Sequence, residues 1–292
     1  MGEFFALLTA VFWAGAVILF KRSGETLPPL ALNGFRVTVS AALLLATMLA
    51  LGQAPWRTAP AGDLLLIALS GTLGIAVADT LFHASLNRVG AGITAVIDCL
   101  YPTMTTMAAY WLLGERLSVG DLAGLALVVA AVLVATTLRP PAGLARRDLV
   151  VGILLGAAGM AALSLGIVVV KPVLRDQPLI WVTGMRQLAA LAVLAPALAL
   201  SKQRRALARV ATLPRDVVRF ALPGTVLGSY LSLIAWIAGM KYTTAGAAAI
   251  LNQTSTIYII VLARIFLAEP FTKRRVLACA LAVAGVACVV LG

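Results

Sequence analysis

This 292-residue chain is poor in charge: only 12% of its residues are Asp, Glu, Lys or Arg. A water-soluble domain carries about a quarter, so the shortage excludes an ordinary soluble fold. Histidine occurs once, as His83, and cysteine three times, as Cys99, Cys279 and Cys288. The cysteines have no metal-ligand spacing and fall inside apolar runs, which excludes a zinc site and a disulfide framework. They read as small apolar fillers. No Gly-rich phosphate loop or nucleophile elbow occurs. The chain is therefore read as no enzyme, with no cofactor, no metal and no nucleotide hydrolysis of its own. Its net charge of +12 does not form a basic patch interleaved with aromatics, so nucleic acid is not an expected partner.

What is present in excess is apolar sequence, at 62%. A helix that crosses a bilayer needs about 20 apolar residues. Ten runs qualify, at roughly 3–20, 28–52, 64–87, 90–113, 118–138, 149–170, 178–200, 217–240, 245–268 and 275–291. The spacing predicts an all-α integral membrane protein with short connections, surrounded by membrane lipid. The first run follows Glu3 with no Lys or Arg before it, and it aligns with 153–170. It reads as a first span rather than a cleaved leader.

The chain nearly repeats itself. At an offset of 150, Lys21, Pro28, Gly34 and Arg36 match Lys171, Pro178, Gly184 and Arg186. At an offset of 154, Gly74, Ala91-Gly92 and Glu115 match Gly228, Ala245-Gly246 and Glu269. The expected units are residues 1–140 and 146–292, with Arg139-Pro140-Pro141 opening the linker. Five spans per unit is an odd number, so the second unit enters the membrane upside down. Inverted repeats of this kind mark secondary transporters. Connections after odd-numbered spans hold 15 Lys or Arg against five in the others, which places the former in the cytoplasm and both termini outside. Small-residue spacings such as Gly152-Gly156 suggest close helix packing. The expectation is a monomer or weak homodimer with no obligate protein partner.

Ionisable groups inside a membrane are candidate functional residues. Asp79 and His83 lie four apart on the third span, and Asp98 lies on the fourth. Counted from the short turn near Arg88–Gly90, both carboxylates fall at one depth, and Arg36 of the second span reaches it too. One alternative is a static ion pair between Arg36 and one aspartate. The other is a proton- and substrate-exchanging layer, because two carboxylates and a histidine exceed what one arginine neutralises. His83 reads equally as a packing residue or a proton relay. Pro102 removes the hydrogen bond to the Asp98 carbonyl, so the fourth span should kink beside that side chain, with Tyr101 on about the same face. The ninth span carries Leu-Asn-Gln-Thr-Ser-Thr-Ile-Tyr at 251–258. Its Asn252, Gln253 and Ser255 read as a wet cavity wall, with interhelical hydrogen bonding as the alternative. Arg186 has no obvious carboxylate at its depth and suits a substrate anion. Trp13, Tyr230 and Trp236 lie mid-span, where packing and substrate contact are both open.

Several local signatures carry a family resemblance. They are Ala-Val-Phe-Trp-Ala-Gly at 10–15, Asn-Gly-Phe-Arg at 33–36 with Thr-Gly-Met-Arg at 183–186, and Leu-Leu-Gly-Glu-Arg-Leu at 112–117 with Leu-Ala-Glu-Pro-Phe at 267–271. On these, the chain resembles the drug/metabolite transporter superfamily, specifically its EamA-type ten-helix exporters, and in overall look the aromatic and amino-acid exporter branch. The resemblance implies a central cavity between the halves and peripheral fifth and tenth helices. It departs from the usual pattern at Thr256, which stands where Pro102 stands in the first half and predicts less bending there. The functional expectation is export of a small polar metabolite, an amino acid above all, across the inner (plasma) membrane, with coupling to protons as one option. The rivals are a cationic-drug exporter, a channel or non-transporting scaffold, and a membrane enzyme.

Overall fold

The computed structural model describes residues 1–114, 118–136, 145–203, 206, 212, 214–242, 251–269 and 273–291. Glu115, the Arg139-Pro140-Pro141 linker, Ala245-Gly246 and the start of the ninth apolar run lie outside the described residues. All described elements are helical. In chain order they are α1 (Gly2–Ser23), α2 (Pro29–Ala50), α3 (Ala61–Val89), α4 (Ala91–Asp98), α5 (Leu100–Leu113), α6 (Val119–Thr136), α7 (Arg146–Asp176) and α8 (Leu179–Leu200). Next comes α9, continuous through Val217–Ala221, Leu222–Thr225, Val226–Leu231 and Ser232–Tyr242, then α10 (Ser255–Phe266) and α11 (Lys273–Leu291).

Six of these helices are long and apolar enough to cross a membrane, namely α1, α2, α3, α7, α8 and α9. Shorter apolar stretches lie at Leu122–Ala131, Leu251–Phe266 and Val276–Cys288. Large apolar side chains such as Leu65, Leu154 and Ile265 point outward, as a lipid-facing surface requires. Inside, one core gathers Phe20, Phe82 and Ile97 from the first half with Met160, Ile259 and Ala282 from the second.

The helices pack across the halves by exchange. Helix α1 lies on α9 and α10, while α7 lies on α3 and α5; α2 pairs with α8, and α6 with α11. Close approaches repeat in the same way. A Cβ added to Gly34 would meet Leu198, and one added to Gly184 would meet Met48; both members of the second pair sit 150 residues from those of the first. Similarly Gly166 lies against Gly74, and Ala16 against Gly228.

Two local irregularities repeat too. In α3 the turn Thr72–Val77 winds as a π-helix, and in α9 so does Val226–Leu231, the same six positions at the 154 offset. Such wide turns leave backbone carbonyls without their usual donors. In the first half Asn33 Nδ2 meets that need, donating to the Ile75 and Ala76 carbonyls at 3.0 and 3.2 Å. The second irregularity is a break. Helices α4 and α5 follow one another with a break at Cys99, whose N–H donates to Val96 O at 3.2 Å, just before Pro102. The second half, which lacks that proline, is expected to bend less. Instead its helix is interrupted at Thr254, where the hydroxyl donates to Leu251 O at 2.5 Å and the N–H to the same carbonyl at 3.2 Å. A threonine that competes for a backbone carbonyl loosens a helix without proline.

Candidate functional site

These breaks and wide turns converge on one cavity of about 210 Å³, lined from both halves. Its wall falls into pairs related by the repeat. Arg36 faces in with Arg186, Asp98 with Asn252, and Tyr101 with Ser255. Trp13 is matched by Leu163, Asp79 by Leu233, and Ile75 by Ser229. The cavity is therefore lined by both halves. Helix breaks put Asp98 and Ser255 there, because each lies at the point where its helix stops or restarts.

The two arginines have different surroundings. Arg36 pairs with Asp79 and also donates to Asn33 Oδ1 at 3.2 Å and Ser229 Oγ at 2.8 Å. Its guanidinium lies 5.6 Å from the Phe20 ring centre. It is thus neutralised and held from four directions, as the static-pair alternative describes. Arg186 is equally buried, at 6% exposure, yet no carboxylate among the described residues forms an ion pair with it. Its Nε has no hydrogen-bond partner, nor do Gln187 Oε1 and Asn252 Oδ1. All three residues line the cavity. Asp98 likewise meets no cation among the described residues and accepts only from Trp13 Nε1, at 3.3 Å. Among the described residues the cavity thus holds one ion pair, one carboxylate with no cation in ion-pairing contact and one guanidinium with no carboxylate in ion-pairing contact. A buried charge without a partner is costly, so both ends are suited to a ligand of opposite charge.

Trp13, Arg36, Asp79, Asp98, Tyr101, Arg186, Asn252, Gln253 and Ser255, all singled out from the sequence, meet around this space. Two others do not. His83 is packed between Phe20 and Phe82, with ring centres 5.0 and 5.6 Å away, and neither ring nitrogen has a partner. Tyr230 exchanges a 2.8 Å hydrogen bond with Thr47. The sequence pattern also misses contributors. Thr9, Thr183, Gln187, Ser229 and Ser232 line the cavity, but single Thr, Ser or Gln residues in apolar runs carry no distinguishing pattern. Cys99 is more than filler, since Gln253 Nε2 donates to its Sγ at 2.9 Å. The two lie at matching positions at the 154 offset, so this bond ties the two helix breaks together. The described residues contain no cluster of His, Cys, Asp and Glu able to hold a metal ion.

Comparison with known proteins matches this twofold organisation. No curated protein matches the chain. Among solved structures, one described only as "Crystal structure of protein" shares the fold with a TM-score of 0.68 at 20% identity, over 98% of this chain and 94% of its own. The family model described as "EamA-like transporter family" matches twice, at residues 1–137 and again at 150–291. A helical molecule whose two halves each match that model belongs to the EamA-like transporter family and is a multi-pass membrane transporter, not an enzyme.

Proposed function

We propose that this chain is a secondary transporter of ten spans, arranged as two inverted five-helix repeats over 1–140 and 146–292. In this reading it exports amino acids across the inner membrane by alternating access. The observation that carries the proposal is that Asp98 and Arg186, which form no ion pair among the described residues, line one small cavity. A zwitterion neutralises both ends at once. Arg186 takes the α-carboxylate, with Thr183 and Gln187 beside it on α8. Asp98 takes the α-ammonium at the helix break, with Trp13 holding the carboxylate. Tyr101 and Trp236 contact the substrate side chain, and Asn252, Gln253 and Ser255 supply the polar wall. Asp98 exchanges the ammonium for a proton in the empty carrier, which couples export to the proton gradient. His83 serves packing in this scheme. The exchange of packing partners between the halves supports the inverted arrangement.

Cavity size favours a metabolite over a drug. Pockets for drug-sized ligands occupy about 300–1,000 Å³, and this one holds about 210 Å³. A cationic-drug exporter would also have no use for Arg186. The test is counterflow in proteoliposomes with radiolabelled amino acids, set against amines that lack the carboxylate. Amino acids should exchange and the amines should not. Equal exchange of both would move the assignment to cationic substrates. Orientation is tested separately: a cysteine in place of Ala206 should resist an impermeant thiol reagent in intact cells, and rapid labelling would reverse the topology.

A further inference from the structure

The two cavity arginines occupy matched places in unlike company. Each extends its guanidinium to the π-turn of the other half. Arg36 Nη1 donates to Ser229 Oγ at 2.8 Å, in the turn Val226–Leu231. Arg186 reaches the turn Thr72–Val77, where its Nη2 lies 3.3 Å from the place a Cβ on Gly74 would take. Just before that turn, a Cβ on Gly71 would clash with the Arg186 carbonyl. Glycine at both positions therefore makes room for Arg186. Gly74 and Gly228 match at the 154 offset, so the two guanidinium groups approach equivalent stretches of backbone.

Around that shared seat, each side chain that holds Arg36 is exchanged. Asp79, its ion-pair partner, is matched by Leu233. Ser229 is matched by Ile75, which is buried. Asn33, whose Oδ1 accepts from Arg36 Nη2 at 3.2 Å, is matched by Thr183, whose hydroxyl donates to Leu179 O at 2.8 Å. Phe20, against the Arg36 guanidinium, is matched by Val170. The carboxylate, the serine hydroxyl and the ring face give way to aliphatic carbon, and the amide to a threonine already bonded within its own helix. Packing differs at the same place. Helix α2 packs on Ala78–Val89, the part of α3 that carries Asp79. Among the described residues, no comparable packing joins α8 to Ser232–Tyr242, the part of α9 that carries Leu233. Arg186 and Leu233 both line the cavity. What is a contact in the first half is cavity in the second.

A guanidinium presents its donors as a planar fork that a carboxylate meets with two parallel bonds. In the first half the chain supplies that carboxylate. In the second, Asp79 is engaged by Arg36 and acts on Arg186 only at longer range. We propose that the substrate carboxylate takes, at Arg186, the place that the Asp79 carboxylate takes at Arg36, and that Leu233 is the specificity-determining residue that leaves this place to it. The inference rests on the amino-acid reading above and gives that substrate a pose, with its carboxylate between α8 and α9 and its ammonium at the α4 break. Leu233 confers selectivity by what it lacks. An acid at this position would pair with Arg186 from within the chain and leave Asp98 to select amines.

The test compares Leu233→Glu with Leu233→Gln in the full chain, two changes alike in shape and different in charge. In proteoliposome counterflow, Leu233→Gln should keep the parent's preference for amino acids over amines that lack the carboxylate. Leu233→Glu should shift that ratio toward the amines by about tenfold, the value of a hydrogen bond to a charged group. A second measurement needs no substrate. In detergent, Leu233→Glu should melt above Leu233→Gln, and the order should reverse when Arg186→Gln is added, because a buried carboxylate then loses its cation. Leu233→Asp against Leu233→Asn repeats both measurements should the longer side chains not fold. An unchanged ratio in the acidic variants, or a melting difference that is the same with and without Arg186, overturns the inference and leaves amino-acid counterflow by the parent standing. Conversely, a parent that exchanges no amino acid sinks the proposed function, while the melting comparison still reads whether an acid at position 233 meets Arg186.

Discussion

The two halves of this molecule share a backbone plan down to the position of a π-turn, yet they differ in the chemistry they present to the cavity. Only glycine and arginine are kept at matched wall positions, as Gly74 with Gly228 and Arg36 with Arg186. Elsewhere the first half presents Trp13, Asp79, Asp98 and Tyr101, where the second presents Leu163, Leu233, Asn252 and Ser255. Both acids are in the first half. One of them forms an ion pair with Arg36, whereas no carboxylate among the described residues forms one with Arg186. A duplicated scaffold thus yields a site with two unlike ends, which a symmetric pair of halves would lack.

The sharpest way to break this comparison is to remove each arginine in turn. Arg36→Ala strips the partner from Asp79, and losing one member of a buried pair costs about 3–5 kcal/mol. The lower end applies, because the Asp79 side chain keeps 20% exposure. Thermal unfolding in detergent should show a large drop in Tm. Arg186→Ala breaks no ion pair among the described residues, so its Tm should fall far less while amino-acid counterflow is lost. Equal loss of stability in both would mean that Arg186 has a structural partner.

Exchanging the acid tests the polarity of the site. Asp98→Asn keeps the shape and removes the charge. Substrate affinity should fall about ten- to a hundredfold, the value of a hydrogen bond to a charged group, and pH-driven accumulation should collapse while some counterflow survives. The reciprocal Asn252→Asp in the Asp98→Asn background should restore part of the affinity, read by substrate-dependent Tm shifts.

A smaller effect concerns the scaffold. A Cβ on Gly166 would lie 2.8 Å from Gly74 N, which is backbone and cannot move aside as a side-chain tip can. Gly166→Ala should therefore cost about 1–3 kcal/mol. The matched contact already carries Ala16 against Gly228, so the reverse change Ala16→Gly should be milder. Unfolding midpoints of the two variants make the comparison. The smallest effect expected is from Trp13→Phe, which loses a single long hydrogen bond to Asp98. It should weaken binding by about 1 kcal/mol, with no change in fold or in carboxylate selectivity.

Much of this plan is legible in the amino-acid sequence. The offsets of 150 and 154 expose the duplication, and charge inside apolar runs marks Arg36, Asp79, Asp98 and Arg186. Pro102 locates the first helix break. The break at Thr254 is not legible, since threonine interrupts a helix only when its hydroxyl takes a backbone carbonyl, and that choice depends on neighbours. For His83 the sequence leaves packing and proton relay equally open, and the structure shows it packed against Phe20 and Phe82, outside the cavity wall.

By itself, the sequence determined the membrane environment, the doubled helical plan and which ionisable groups had to be buried, because each follows from local apolarity and from matches along the chain. Only the tertiary structure decided which charges cancel. Asp79 and Asp98 are alike in the sequence, at one depth and in one half. The crossing of α2, α3 and α9 brings Arg36 to Asp79, while the break after α4 turns Asp98 toward the cavity, where among the described residues Trp13 donates to it and no cation pairs with it. Ion pairing is set at a separation of a few ångströms, and that separation comes from how helices distant in the chain pack together.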